Sequence, residues 1–165
     1  MFRHTLQIYL LRHGIAEDPR PGQADAKRAL TPEGIKRLRE ILKRAKTAGV
    51  APAIIVTSPY LRARQTAELA AEILGYEEAL VPSSKLTPMA SPVETWGAVR
   101  ALRRESSILL VGHEPHMSSF MGFLLGTGEL RVDFKKGAMA RIELLELGAQ
   151  PRGVLKWMMA PSLAL

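Results

Sequence analysis

The chain contains no cysteine. That excludes disulfides, thiolate metal sites and a cysteine nucleophile, and it fits a reducing compartment. Long apolar runs are missing as well. The short run after Arg3 is broken by Gln7, too little for a secretory signal, and nothing later approaches the roughly 18 apolar residues of a membrane span. A cytoplasmic location is expected. There is no Walker glycine loop, no carboxylate cluster spaced for Mg²⁺, and no tract interleaving aromatics with cations as a single-strand nucleic-acid groove does. What remains is a chain of 165 residues, 47% apolar and 24% charged. That is an ordinary globular composition, and the length suits one domain over residues 1–165. The formal charge of +7 suits either an anionic phosphorylated substrate or nucleic acid. Its cations are scattered along helical stretches, so charge alone selects no function.

Apolar runs alternate with stretches of helical period. Leu6 to Leu11, Ala53 to Thr57 and Ser107 to Val111 read as strands buried on both faces. Thr31-Pro32 starts a helix whose stripe is Ile35, Leu38, Leu42 and Ala45, widened by Ile41, with Gly49 as its stop. Ser58-Pro59 opens a second helix closed by Gly75, Ser91-Pro92 a third with Glu94 completing a capping box, and Glu114-Pro115 a fourth. "AMARIELLEL" and "VLKWMMA" near the end read as an antiparallel hairpin or neighbouring strands. The expected fold class is α/β, a sandwich around a mostly parallel central sheet. The loop from Ile15 to Leu30 is long for a compact domain, and such loops are often functional.

Open parallel sheets bind ligands beyond the carboxyl ends of their strands. The first predicted strand delivers Arg12, His13 and Gly14 there. The second delivers Thr57 and Ser58, with Arg62 and Arg64 in the turn that follows; the third delivers Gly112, His113 and Glu114. Each residue alone has a plain structural reading. Gathered on one edge they suit phosphoryl transfer to an imidazole. A neutral histidine can attack phosphorus at physiological pH. Arginine forks donate paired hydrogen bonds to phosphate, and the charge of the transferring group needs preorganised donors. A helix opening at Ser58-Pro59 would add backbone N–H groups, and Gly14 would let the backbone come close to the phosphate. His113 and His116 form an H-x-x-H pair, but no carboxylate partner is apparent. No metal and no cofactor are expected.

"LLRHG", "TSPYLRARQTAE" and "LLVGHEP", in that order between residues 6 and 115, resemble the histidine phosphatase superfamily. With "RHGIAED", "RALTPEG" and "KLTP", the chain is most similar to its SixA-type phosphohistidine phosphatase branch. The resemblance implies a three-layer α/β/α sandwich of phosphoglycerate-mutase-like fold. It implies that His13 is a nucleophile transiently phosphorylated, that Arg12 and Arg62 clamp the phosphate, and that His113 donates a hydrogen bond to it. Gly14 completes the motif, and Ser58 joins the substrate-binding set. Arg28 holds the place of a basic residue in the branch's R-x-L-T segment, either at the pocket mouth or as a solvated loop charge. Arg64 belongs to the outer face of its helix.

One departure bears on substrate. The mutase-like and sugar-bisphosphatase-like members carry a glutamate general acid where this chain reads "SSKLTPMASP", without a carboxylate. General acid catalysis contributes about 10²–10⁴-fold, and it matters most for an alkoxide leaving group. Phosphohistidine, or another activated phosphate, is thereby favoured. Glu17, Asp18 and Glu114 are candidates for a substitute donor, Glu114 having the alternative role of serving a helix start. The function expected is a metal-independent phosphatase acting on a phosphohistidine-bearing protein, with signal transduction as its setting. The alternative is a small phosphomonoester or phosphoramidate at the same site. A non-catalytic phosphate- or nucleic-acid-binding module ranks third. No nucleic-acid partner, no membrane and a monomeric state are expected.

Overall fold

The computed structural model describes residues 5–161. Among them six strands form one sheet: β1 (Leu6–Arg12), β2 (Ile54–Thr57), β3 (Val81–Pro82), β4 (Ser107–Gly112), β5 (Met139–Glu146) and β6 (Arg152–Met159). Their spatial order is β3-β2-β4-β1-β5-β6. The pairs β1–β4, β2–β4 and β2–β3 are parallel, while β1–β5 and β5–β6 are antiparallel. The sheet is therefore mixed, with the hairpin added to one side of a parallel core. β3 is too short to be visible as a pattern.

Alternation in the parallel strands explains the layers. Leu6, Ile8 and Leu10 of β1, with Ile108 and Leu110 of β4, face one side. There they meet α3 (Pro92–Ala101) and α4 (His116–Leu125) through Trp96, Val99, Met117 and Phe120. Tyr9 and Leu11, with Leu109 and Val111, face the other side. They pack on α1 (Pro32–Thr47) and α2 (Leu61–Leu74) through Leu38, Leu42, Ala63 and Ala67. Each Leu buried in this way contributes about 1.5–3 kcal/mol, so both faces need their helices.

The helix ends follow the local chemistry with two exceptions. Thr31 caps α1 by accepting from the Gly34 N–H at 3.0 Å, with Pro32 in the first turn. Gly75 ends α2 in the left-handed conformation at φ 72°, a geometry that favours glycine. The Ser91–Glu94 capping box does not form: Ser91 makes no side-chain cap, and Glu94 pairs instead with Lys85 at 3.3 Å. Nor does α2 open at Ser58-Pro59. It begins at Leu61, because Ser58 Oγ accepts from the Tyr60 N–H at 3.3 Å and holds Ser58–Tyr60 as a turn.

Candidate active site

The order of the strands sets out the site. β4 lies between β1 and β2, so residues distant in sequence leave the sheet side by side. The His13 N–H donates to the Gly112 carbonyl at 2.9 Å, and the Ser58 N–H to the Val111 carbonyl at 2.9 Å. Ser58, His113 and His13 therefore form a row across three neighbouring strand ends. The His13 and His113 rings stand 5.0 Å apart, tilted by 58°.

His13 is held in one tautomer. Its Nδ1 lies 2.6 Å from the Gly14 carbonyl, which can only accept, so Nδ1 carries the proton and Nε2 the lone pair. Arg62 approaches that lone pair with its Nε–H at 3.3 Å. Burial pushes the His13 pKa down to about 3; the Gly14 bond opposes this, and Arg62, Arg12 and Lys136 add to it. The imidazole is thus neutral at physiological pH. His113 is also pushed down to about 3, by burial first and then by His13 and Arg62. Its Nε2 lies 2.7 Å from Ser58 Oγ, while Nδ1 is buried with no hydrogen-bond partner.

Arg62 comes from the first turn of α2 and Arg12 from the end of β1. Arg12 Nη1 donates to the Phe134 carbonyl at 2.7 Å, which turns the side chain toward the loop before β5. Burial lowers the Arg12 pKa from its ordinary value. The groups are nearly closed off: His13 is 6% exposed, Arg62 4% and His113 1%. Charge-assisted bonds in such surroundings are stronger than in water.

Gly14 has a packing reason of its own. A Cβ there would lie 2.6 Å from Leu38 Cδ1, so glycine lets the turn after β1 sit on α1. The Gly14 N–H also donates to Thr66 Oγ1 at 3.2 Å, and Thr66 in turn donates to the Arg62 carbonyl at 2.7 Å. The histidine turn and the arginine helix are locked together through that hydroxyl.

Arg28 does not contact His13. Its Nε donates to Asp25 Oδ1 at 2.8 Å and its Nη1 to the Glu17 carbonyl at 2.7 Å, which braces the loop between β1 and α1. Arg64 is exposed and paired with Glu68 at 3.5 Å. Glu114 accepts from the Ser118 N–H at 2.7 Å and from the Ser118 hydroxyl; it serves the start of α4. Glu17 pairs with Arg20 at 3.4 Å, and Asp18 is exposed. His116 Nε2 lies 2.7 Å from Thr95 Oγ1, and its ring stacks on Phe120. The two histidines of H-x-x-H thus turn their Nε2 atoms to separate partners.

Two further residues stand at the site. Tyr60 places its ring 5.0 Å from His113, edge to face, and 5.1 Å from the Arg62 guanidinium carbon. Asp25, in a short 3₁₀ turn (Asp25–Lys27), binds Arg62 through its carboxylate at 3.0 Å and its backbone carbonyl at 2.8 Å. Such a contact crosses 37 residues of chain, and no period or motif marks it.

The model of the histidine phosphatase superfamily (branch 1) matches residues 8–86. The phosphohistidine phosphatase SixA of Escherichia coli (strain K12) is 29% identical over 161 residues, 94% of each chain. An uncharacterized protein of Picosynechococcus sp. is 36% identical over 120 residues, 70% of each chain. Among solved structures, the protein histidine phosphatase SixA complexed with tungstate aligns with TM-score 0.84 and 26% identity, over 94% of this chain and 97% of that one. A putative SixA from Agrobacterium tumefaciens aligns with TM-score 0.81 and 25% identity, over the same shares. The chain belongs to the histidine phosphatase superfamily, and its similarities run to the SixA type.

Proposed function

We propose that the protein is a phosphohistidine phosphatase that takes phosphate from a protein histidine onto His13. The observation that carries this reading is the state of His13: Nδ1–H fixed on the Gly14 carbonyl, and Nε2 unprotonated, its lone pair approached by the Arg62 Nε–H at 3.3 Å. In the first step the Nε2 lone pair forms a bond to phosphorus. The bond from phosphorus to the substrate's imidazole nitrogen breaks, and that nitrogen keeps the electron pair; the substrate ring, protonated on its other nitrogen, leaves as neutral imidazole. The phosphorylated His13 ring is cationic, and the Gly14 carbonyl stabilises it through Nδ1–H. In the second step water forms the new P–O bond, and the P–Nε2 bond breaks with its pair returning to Nε2. The water proton leaves to solvent and inorganic phosphate departs. Arg62, Arg12 and His113 hold the charge on the equatorial oxygens, which costs little reorganisation in a buried site. Ser58 supports this by fixing the His113 ring through Nε2.

The state of the carboxylates supports this substrate class. Glu114 is committed to α4, and Glu17 pairs with Arg20. Asp25 is held by two arginines whose bonds outweigh its burial and keep its pKa low, so at neutral pH it is ionised and a poor proton donor. An imidazole leaving group tolerates this arrangement far better than an alkoxide does. The similarity to SixA points the same way. The working enzyme on this reading is cytoplasmic and monomeric, and needs no metal.

The test compares a phosphohistidine protein, phosphoramidate, p-nitrophenyl phosphate and sugar phosphates, before and after exhaustive chelation. The phosphohistidine protein should have the highest kcat/KM, unchanged by chelation, and His13→Ala should lose at least about 10⁴-fold, as expected for a nucleophile that forms the covalent intermediate. A preference for phosphomonoesters would replace this substrate with the small-molecule alternative.

A further inference from the structure

The Arg62 guanidinium is gripped on one edge by a residue that neither binds substrate nor carries a sequence signal. We propose that Asp25 is a positioning residue: it holds the terminal nitrogens of Arg62 so that Nε, and the hydrogens left over, face the phosphate on His13. This rests on the reading of His13 and Arg62 given above. A guanidinium has five N–H donors. Here Nη1 donates to the Asp25 carbonyl at 2.8 Å, Nη2 to Asp25 Oδ2 at 3.0 Å, and Nε points at His13 Nε2 at 3.3 Å. One hydrogen on each terminal nitrogen remains for the phosphate oxygens. The Tyr60 ring, 5.1 Å from the guanidinium carbon, restrains the face of the same group. One edge and one face are therefore fixed before substrate arrives. Prepositioning of this kind raises rate, because misplacement by about 1 Å can cost on the order of 10²-fold.

Asp25 is itself held in place. Its second carboxylate oxygen accepts from Arg28 Nε at 2.8 Å, and Arg28 Nη1 reaches the Glu17 carbonyl at 2.7 Å. The Asp25 backbone carbonyl also accepts from the Arg28 N–H at 3.2 Å. The Arg62 side chain is 5% exposed while that of Asp25 is 55% exposed, so the carboxylate reaches into the site from the solvent side, backed by Arg28. The long loop between β1 and α1 thereby acquires a task, and Arg28 acts on the site through Asp25.

Two other roles fit an acid in this place, and experiment separates them. An acid competing with phosphate for Arg62 would make the bare site bind anions more weakly; a general acid would act only in turnover. Tungstate binding to the full-length protein, measured by calorimetry for the parent, D25N and D25A, distinguishes all three. Both substitutions remove a negative charge, which by itself tightens anion binding. Only D25N keeps an acceptor for Nη2. Tungstate should bind D25N at least as tightly as the parent, and D25A about tenfold more weakly than D25N, the equivalent of one charge-assisted bond. The same order should hold for the rate of phosphoenzyme formation from phosphoramidate. Equal affinity of D25N and D25A, or tighter binding by D25A, would overturn the proposal. Because tungstate is not a substrate, these affinities stand whichever phosphorylated substrate the enzyme prefers.

Discussion

At the scale of single residues, the site is built on hydrogen bonds that fix each ring and fork in one orientation. His13 donates its Nδ1–H to the Gly14 carbonyl. Ser58 takes Nε2 of His113, and Thr66 ties Gly14 to the Arg62 carbonyl. Removing one of these partners loosens a ring or a fork without deleting it. Ser58→Ala leaves His113 Nε2 unpaired in a buried place. A fall of about tenfold in kcat/KM is expected, near 1.4 kcal/mol and the size of one net hydrogen bond. Steady-state kinetics with phosphoramidate check this; an unchanged value would mean that His113 needs no such support. The residues that announced themselves in the sequence are those at strand ends, because a parallel sheet gathers its carboxyl ends by rule. Asp25 did not, and Tyr60, though within "TSPYLRARQTAE", had no role assigned there. Their contacts are made by a loop and a turn lacking any period, and depend on where the folded chain brings Arg62.

Among the elements, the junction of the histidine turn with α1 is the tightest. Gly34 lies inside α1 and is buried. A Cβ at Gly34 would overlap the Ile15 carbonyl oxygen and crowd the Ile15 nitrogen at 2.9 Å, both of them backbone atoms that cannot swing aside. Propensity alone makes Gly→Ala in a helix favourable by about 1 kcal/mol. Here the expected result has the opposite direction, a loss of about 1–3 kcal/mol through overpacking, with lowered activity because Ile15 follows the His13–Gly14 turn. Urea denaturation of Gly34→Ala measures it, and a stabilised variant would contradict the packing described. The capping signals were legible where proline set the backbone, as at Thr31-Pro32. They misled where one side chain had another partner: Ser91 and Glu94 match the box, but Glu94 reaches Lys85. β3, at two residues, is below the length at which alternation has meaning.

For the molecule as a whole, three buried histidines make stability depend on pH. His13 and His113 are pushed down to about 3 and His116 to about 4, burial being the first cause in each. In the unfolded chain a histidine titrates near 6.5. Below that pH the unfolded state binds more protons than the folded one, so stability falls as pH drops. The contribution is complete above about 6.5 and is lost progressively down to the folded values, at up to about 1.4 kcal/mol per pH unit for each histidine. Melting curves between pH 7.5 and 4.5 should show the decline. His116→Phe, which keeps the stack on Phe120, should reduce its slope by about one proton; an unchanged slope would remove His116 from the account. The alternation of strands and helices, and hence the α/β class, could be read directly from hydrophobic period. The hairpin was legible as well, though its place beside β1 was not, since nothing local specifies which edge a returning strand will join.

The most direct test of the central claim is to trap the phosphoenzyme. Rapid acid-free quenching after mixing with a phosphohistidine protein, followed by mass spectrometry and ³¹P NMR, locates the phosphate. The expected result is one acid-labile phosphate on Nε2 of His13, absent in His13→Ala and formed fast enough to account for turnover. Turnover with no phosphoenzyme, or phosphate carried on another residue, would contradict it.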